Sequence, residues 1–394
     1  MLTKISLKNF RSVESEELNL SPITVFYGPT AAGKSTVLYS LMTLRNFILN
    51  PNRPVDGFFH IGFMDMGGLN ACVFDHDDKR SVEFSVRYAK NGVEASYGLS
   101  LSKASADISL QIASINLKGK VAIPYGLNQN FPFSHTDSGE EYTINWNGVG
   151  GSVVPKNATA EKQQKAAEIA ALINSVPERL KAIDIVPHKR GFFKYNYTPV
   201  AISPLPTSED EVASIIINDQ HMAGRISTYL EDIFGRDFRT YTPAGTATVF
   251  MQTTDKQSRI PVNLINDGFG INQVVYLWAK LYRPEISTVL IEEPEVHLHP
   301  TVIRNFARAL CAFVKDEGKQ VLLTTHSEQF VSSIATAVSE GIASPSDIGC
   351  YLTLKEKKTT KFQPQKINEK GQIDGGLTSF IEAEIEDLKK FTGV

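Results

Sequence analysis

Gly28-Pro29-Thr30-Ala31-Ala32-Gly33-Lys34-Ser35-Thr36 is the stretch that decides the fold. It fits G-x-x-x-x-G-K-[ST], the phosphate-binding P-loop. Residues 22–27 before it read as a buried strand. After it, Val37, Leu38, Leu41, Met42, Leu44, Phe47 and Ile48 follow helical spacing over 35–49. Strand, glycine loop and helix is the context the motif requires. The glycines let successive N–H groups turn inward onto a phosphate, and the helix N-terminus adds partial positive charge. The pattern predicts that Lys34 reaches the β- and γ-phosphates and that the Ser35 hydroxyl ligates Mg²⁺. The expected ligand is a nucleoside triphosphate; the loop alone does not say what the energy drives.

A chain of 394 residues has room for one large domain or two ordinary ones. A hydrophobic share of 42% and a charged share of 21% are those of a soluble globular protein. Forty basic against 43 acidic residues leave a net charge of −3, so no global basic field advertises nucleic acid. Three cysteines, Cys72, Cys311 and Cys350, lie too far apart for a disulfide framework and suit a reducing compartment. No apolar run approaches the ~18 residues of a membrane span, and the N-terminus alternates like a strand without the apolar core of a signal peptide. A cytoplasmic protein without membrane contact is expected.

Outward from the loop, residues 2–10 and 16–27 read as strands. Val82, Phe84, Val86 and Tyr88 alternate ahead of Asn91-Gly92, a hairpin signal. Residues 81–123 are accordingly expected to form an antiparallel meander, with one strand piece at 115–117. Residues 124–158, rich in Gly, Asn, Ser and Pro, read as loop with at most one hairpin. From Thr159 the pattern turns helical, over 160–176, 208–218 and 221–234; Ser208-Glu-Asp-Glu211 is a helix-start signature. The prolines at 177, 187, 199, 204 and 206 break this block. Strand-like alternation returns at 246–264, a helix is expected at 267–283, and an amphipathic helix at 378–391.

A second element accompanies the loop. Thr288-Val-Leu-Ile291 is a short apolar strand ending in Glu292-Glu293-Pro294, the form of a Walker B element. Two acids at the end of a buried strand cost desolvation unless positive charge sits there, and a Mg²⁺–triphosphate supplies it. Glu292 is placed to hold Mg²⁺ and Glu293 to act as general base on the attacking water. Leu322-Leu-Thr-Thr325-His326 is another strand, and its end puts His326 beside the γ-phosphate of a nucleotide-binding sheet. His297 and His299 share one face if extended, but no third ligand is near in sequence; a structural turn is the expected role. Asn266-Asp-Gly268-Phe-Gly270-Ile-Asn272-Gln273 opens a helix, either as a tight turn or as an anion-binding start.

Lys8-Asn-Phe10-Arg11-Ser12, the P-loop, residues 267–273, Ile291-Glu-Glu-Pro-Glu-Val-His-Leu-His-Pro300 and Thr324-Thr-His-Ser327, in this order, resemble the ABC-type ATPase heads of the SMC/RecF/OLD group. Among these, the chain looks most like the small stand-alone AAA family ATPases of bacteria and archaea. The resemblance implies an α/β P-loop NTPase with mixed sheets, an antiparallel β subdomain and an inserted helical lobe. Its parts would be an N-terminal ATPase lobe at 1–158, the helical insertion at 159–245 and a C-terminal ATPase lobe at 246–394.

It further implies that Arg11 lies near the nucleotide and that residues 28–36 bind it. Glu292 and Ser35 would serve Mg²⁺. Glu293 would be the catalytic glutamate, with Lys34, and His326 the switch histidine. Asn266, Gly268, Gly270, Asn272 and Gln273 would form a signature reaching the nucleotide of a second copy. ATP and Mg²⁺ follow as cofactors, with a homodimer closing on ATP and slow hydrolysis reopening it. The partner would be a separate nuclease or toxin effector, or DNA, in a DNA transaction or in anti-phage defence.

Glutamate stands at 292 where the group usually has aspartate, and the signature departs from the Leu-Ser-Gly-Gly-Gln of transporters. No glutamine loop is assignable, although residues 66–75 occupy its region. The chain after His326 is too short for the C-terminal nuclease domain of OLD proteins. A second reading is a RecF-like repair ATPase acting directly on DNA. Lys189-Arg190 with Phe192, Phe193, Tyr195 and Tyr197 is basic and aromatic enough to grip phosphates and stack on bases. The same residues suit internal packing.

Overall fold

The computed structural model describes residues 1–90, 92–126, 129–374 and 376–377. The helix expected at 378–391 lies outside them. Chain order begins with β1 (Leu2–Phe10), β2 (Val13–Asn19), β3 (Ile23–Tyr27), α1 (Ser35–Leu49) and α2 (Gly68–Cys72). Seven strands follow: β4 (Val82–Lys90), β5 (Val93–Leu101), β6 (Ser105–Ile112), β7 (Leu117–Pro124), β8 (Phe131–Asp137), β9 (Glu140–Trp146) and β10 (Gly151–Pro155). Then come α3 (Ala160–Lys181), β11 (Ile183–Val186), α4 (Glu209–Asn218), α5 (Met222–Phe234), β12 (Arg236–Tyr241), β13 (Phe250–Asp255) and β14 (Pro261–Asn263). The remainder is α6 (Phe269–Leu281), β15 (Thr288–Glu292), α7 (Pro300–Glu317), β16 (Gln320–Thr325), α8 (Glu328–Ser339), β17 (Ile348–Glu356) and β18 (Thr359–Gln365). This is the α/β P-loop architecture expected. Among the described residues no helix is long and apolar enough to cross a membrane.

The chain forms two compact units. One holds Met1–Ser21, Ala32–Ile183 and Leu354–Phe362; the other holds Pro22–Ala31, Asp184–Thr353 and the described residues from Gln363 on. The breaks fall elsewhere than at 158 and 245, where composition changes. Helix α3 packs on β10 and α1 in the first unit, whereas α4 and α5 pack on α6 in the second. Helical character is a local property, and the partner that buries the apolar stripe decides the unit.

The first unit carries an antiparallel sheet in the order β2-β1-β4-β5-β6-β7 and a smaller one, β10-β9-β8. The smaller sheet corrects the loop expected at 124–158. Tyr142, Ile144 and Trp146 alternate inward on β9 and are buried. Ser138 and Gly139, at φ 53° and 81°, make the turn before it. Asn147 Oδ1 closes the next turn by accepting from the N–H groups of Val149 and Gly150 at 2.9 and 2.7 Å. The Gly and Asn density thus marks tight turns between short strands. Ile115 sits in a 3₁₀ turn, and the strand expected at 115–117 begins only at Leu117. Helix α3 does not stop before Pro177 but runs through it to Lys181. The proline costs ~3 kcal/mol in a helix interior. Ile173, Val176 and Leu180 are buried on the same helix, each worth about 1.5–3 kcal/mol, so packing wins.

The second unit is built on strands in the order β11-β15-β16-β3-β17, of which β15, β16, β3 and β17 run parallel. Strands β3, β15 and β16 are buried along their whole length, which is why they read as unbroken apolar runs. Trp278 of α6 stacks on Tyr229 of α5 at 3.9 Å and meets Phe313 of α7 edge-on. Asp184 is fully buried between Lys280 and Arg283, at 2.8 and 2.6 Å, so its charge is paired as burial demands.

Candidate functional site

Register along the parallel sheet assembles an acidic cluster in the second unit. Glu292 pairs with Thr324, Thr324 with Phe26, and Thr325 with Tyr27. The carboxyl ends of β15, β16 and β3 therefore share one edge, and Glu293, His326 and Gly28 are the next residues out. Ligands of parallel α/β sheets bind outside this edge. Glu292 is 4% exposed. Glu293 has φ 44°, a left-handed conformation unusual for a side-chain-bearing residue. Its N–H donates to Thr324 O at 2.9 Å, and its Oε1 lies 2.8 Å from His326 Nε2.

Three further residues join this cluster, and for none of them did the sequence predict a part in it. Glu295 Oε1 accepts from the Thr325 hydroxyl at 2.6 Å and from the His326 N–H at 3.0 Å, fixing the end of β16. Burial pushes the Glu295 carboxyl above the usual range, against the pull of those hydrogen bonds. His188 Nδ1 lies 3.6 Å from Glu292 Oε2. Arg190, 3% exposed, donates to the carbonyls of Pro187, Glu292 and Glu293 at 3.0, 2.7 and 2.8 Å. Burial lowers its pKa to about 10, opposed by Glu295, Glu292 and Glu293 nearby. Glu295 was visible in the 291–300 run, but its hydrogen bonds follow from register. Arg190 was legible only as a basic residue.

The P-loop begins in the second unit and ends in the first. Gly28 has φ 137°, and a Cβ there would stand 2.3 Å from Thr353 O of β17. Pro29, Thr30 and Ala31 are exposed, and Ala31 is left-handed at φ 62°. In the first unit Gly33 has φ 101°, with room for no Cβ against the Thr360 and Ser12 hydroxyls. Thr360 Oγ1 bonds both Ala32 O, at 2.8 Å, and Ser12 Oγ, at 2.7 Å, so β18 braces the loop. Lys34 precedes α1 and is 5% exposed. Ser35 is half-buried and Thr36 buried. The N-cap residue of α1, Lys34, makes no side-chain cap, and within the first turn the Thr36 N–H donates to Gly33 O at 3.1 Å. Arg11, exposed and at φ 52°, lies over the Tyr39 ring of α1 at 5.0 Å and donates its N–H to Cys72 O. In the first unit the Gly33 turn, the buried lysine and the start of α1 suit a phosphate group; in the second, the two adjacent acids suit a divalent cation.

The signature-like segment divides. Asn266 and Gly268 are exposed at the start of α6, beside Phe269 at 56% exposure. Gly270 is half-buried, and a Cβ on it would stand 2.9 Å from His297 O. Asn272 and Gln273, expected to face a second copy, are each 5% exposed. This corrects that expectation: their positions on α6 face the interior, and Asn272 is committed to the backbone of Phe192, accepting from its N–H at 2.6 Å and donating to its carbonyl at 2.7 Å.

His299 caps α7 by accepting from Thr301 N, and the His297 ring lies 5.6 Å from Phe269. Among the described residues no cluster of three or more His, Cys, Asp or Glu is arranged to hold a metal ion. The basic aromatic stretch also divides: Arg190, Phe192 and Tyr197 are buried, whereas Lys189, Phe193 and Tyr195 are exposed.

Residues 23–332 match the family model described as "AAA domain, putative AbiEii toxin, Type IV TA system". The chain belongs to this family. It is 24% identical over 351 residues to the OLD nuclease of Thermus scotoductus, covering 84% of this chain and 60% of that protein. To the Old nuclease of Escherichia phage P2 it is 21% identical over 360 residues, covering 84% and 57%. The chain thus spans about three fifths of the length of these relatives. A 49-residue stretch is 51% identical to the DNA replication and repair protein RecF of Roseiflexus castenholzii, 11% of this chain and 12% of that one. Among solved structures, the SMC head domain of Thermotoga maritima aligns over 92% of this chain and 98% of its own, at 12% identity and TM-score 0.45. An SMC head bound to the C-terminal winged-helix domain of ScpA aligns over 93% and 98%, at 10% identity and TM-score 0.49. Kinship with the SMC/RecF/OLD group of ATPases rests on the family match and on the OLD and RecF relatives.

Proposed function

We propose that this chain binds ATP, hydrolyses it slowly to ADP and phosphate, and closes head to head with a second copy while ATP is bound. The cycle would switch a partner, a separate nuclease or toxin effector, in anti-phage defence or a DNA transaction. The observation that carries this reading is the shared sheet edge where Gly28, Glu292-Glu293 and His326 follow β3, β15 and β16. In this reading residues 28–36 bind the phosphates, Lys34 offsets the charge that builds on the γ-phosphate, and Arg11 lies near the nucleotide. Ser35 and Glu292 are the residues that would hold Mg²⁺, which when bound neutralises phosphate oxygens. Glu293 accepts a proton from the attacking water as the new P–O bond forms and the bond to the ADP oxygen breaks. His326 orients Glu293 and reads the γ-phosphate.

The surface for the second copy is the exposed start of α6, with Asn266, Gly268 and Gly270. There Phe269 and Phe193, 56% and 48% exposed, hold their rings 5.9 Å apart. Exposed paired aromatics are typical of interface cores. The nuclease or toxin partner is suggested by relatives named as nucleases and by a family named for a toxin system. The buried free thiols of Cys72, Cys311 and Cys350 fit the cytoplasm.

The test is Glu293→Gln. Loss of a general base is expected to cut turnover by about 10²–10⁴-fold and to trap an ATP-bound dimer visible by light scattering. Undiminished turnover and a monomer in ATP would sink the reading. The alternative, direct action on DNA in the manner of RecF, rests on Lys189, Phe193 and Tyr195 and on the RecF match. It requires salt-dependent DNA binding in ATP, and no binding at low salt removes it.

A further inference from the structure

We infer that Arg190 is a positioning residue for the Glu292-Glu293 turn, and that Asn272 holds it in place. The chain from Pro187 to Phe193 would then act as a strap tying the start of α6 to the acid pair. This rests on the ATPase reading above. Arg190 grips the acid pair through the main chain. It holds their backbone: one guanidinium nitrogen donates to the Pro187 and Glu292 carbonyls, and the other to that of Glu293. Glu293 is in a left-handed conformation that few side-chain-bearing residues adopt, and such conformations persist only when their surroundings over-determine them. Here its N–H is tied to Thr324, its carbonyl to Arg190 and its carboxylate to His326.

Two residues on, Asn272 takes both backbone groups of Phe192. Gly191 lets the strands of contact close: it has φ 131°, and a Cβ there would press on Asn272 Oδ1 at 3.0 Å. Phe193 then continues to Phe269 by ring contact and donates its N–H to Glu209. A displacement at the exposed start of α6 therefore has a bonded route, through Asn272, Phe192 and Arg190, to the general base of the same chain. Coupling of this kind has to be demonstrated by energetics rather than by proximity.

The test uses the full chain and steady-state ATPase kinetics. Arg190→Ala is expected to lower kcat about 100-fold, the effect of a displacement of about 1 Å at the reacting groups, while KM and the affinity for a non-hydrolysable ATP analogue stay near wild type. Added guanidinium should restore part of the lost rate. Arg190→Lys keeps the charge but cannot fork to two carbonyls and should fall between. Asn272→Ala should lower kcat in the same direction and add little in the Arg190→Ala background, since residues acting as one unit are non-additive. Wild-type kcat in an Arg190→Ala protein that binds the analogue normally would overturn the inference. If that variant does not fold, wild-type kcat in both Arg190→Lys and Asn272→Ala overturns it instead. Inactive Glu293→Gln beside fully active Arg190 variants would defeat the strap alone; Glu293→Gln with normal turnover would defeat the ATPase reading beneath it.

Discussion

At Gly33 one residue carries two demands. Its φ of 101° lies outside what side-chain-bearing residues favour, and an added Cβ would press on the Thr360 hydroxyl at 2.3 Å. Gly33→Ala should introduce strain on the order of 1–3 kcal/mol, weakening ATP binding by about tenfold for each 1.4 kcal/mol that reaches the loop. Calorimetric titration with ATP checks this, with thermal melts to separate loss of binding from loss of fold. The glycine itself was legible, because the P-loop is a local pattern whose spacing encodes the backbone turn. Thr360, which braces Ala32 and Ser12, was not: it arrives from the far end of the chain, and no short-range period reports it. Arg190 and Asn272 are the same case. Each side chain was visible as a type, but what it bonds depends on tertiary contact, and so Asn272 and Gln273, expected to reach a second copy, are buried.

Among the elements, α4 shows how far local rules reach. Ser208 accepts from Glu211 N, and the Glu211 carboxylate returns to the Ser208 N–H and hydroxyl. Ser208→Ala should cost about 1 kcal/mol of stability. Partial burial raises the Glu211 pKa, but hydrogen bonds from Ser203 and Ser208 outweigh it and bring the carboxyl from 4.5 to about 2. A carboxyl depressed in the folded state stabilises above its unfolded pKa and loses that contribution as pH falls through its folded one. Urea melts should therefore show Glu211 supporting the fold above pH 4.5 and ceasing to do so by about 2, with Glu211→Gln flattening that limb. This helix start was readable because its four residues contain the whole interaction. The sheet of β8, β9 and β10 was not, because Gly and Asn tally the same in a loop as in the turns of short strands.

For the whole molecule, the order of the chain matters more than its composition. The path leaves the first unit after Ser21, returns at Ala32, leaves again after Ile183 and comes back for Leu354–Phe362. Neither unit is a continuous segment. A chain cut before Leu354 loses β18 and, with it, the Thr360 brace. It should melt without a sharp transition and fail to bind ATP, which circular dichroism and nucleotide titration can check. Sequence composition could not disclose this interleaving, since it records neighbours along the chain and not the return of a distant strand.

Glu293 sets the protein's interests against each other. Its left-handed backbone would be most comfortable as glycine, and relieving it there is worth on the order of 1–2 kcal/mol. Selection for durability alone would therefore erode the acid at this position. A glutamate here carries that cost in exchange for a carboxylate held beside His326, and on the ATPase reading proposed above the cost falls on the general base, a trade familiar at active sites.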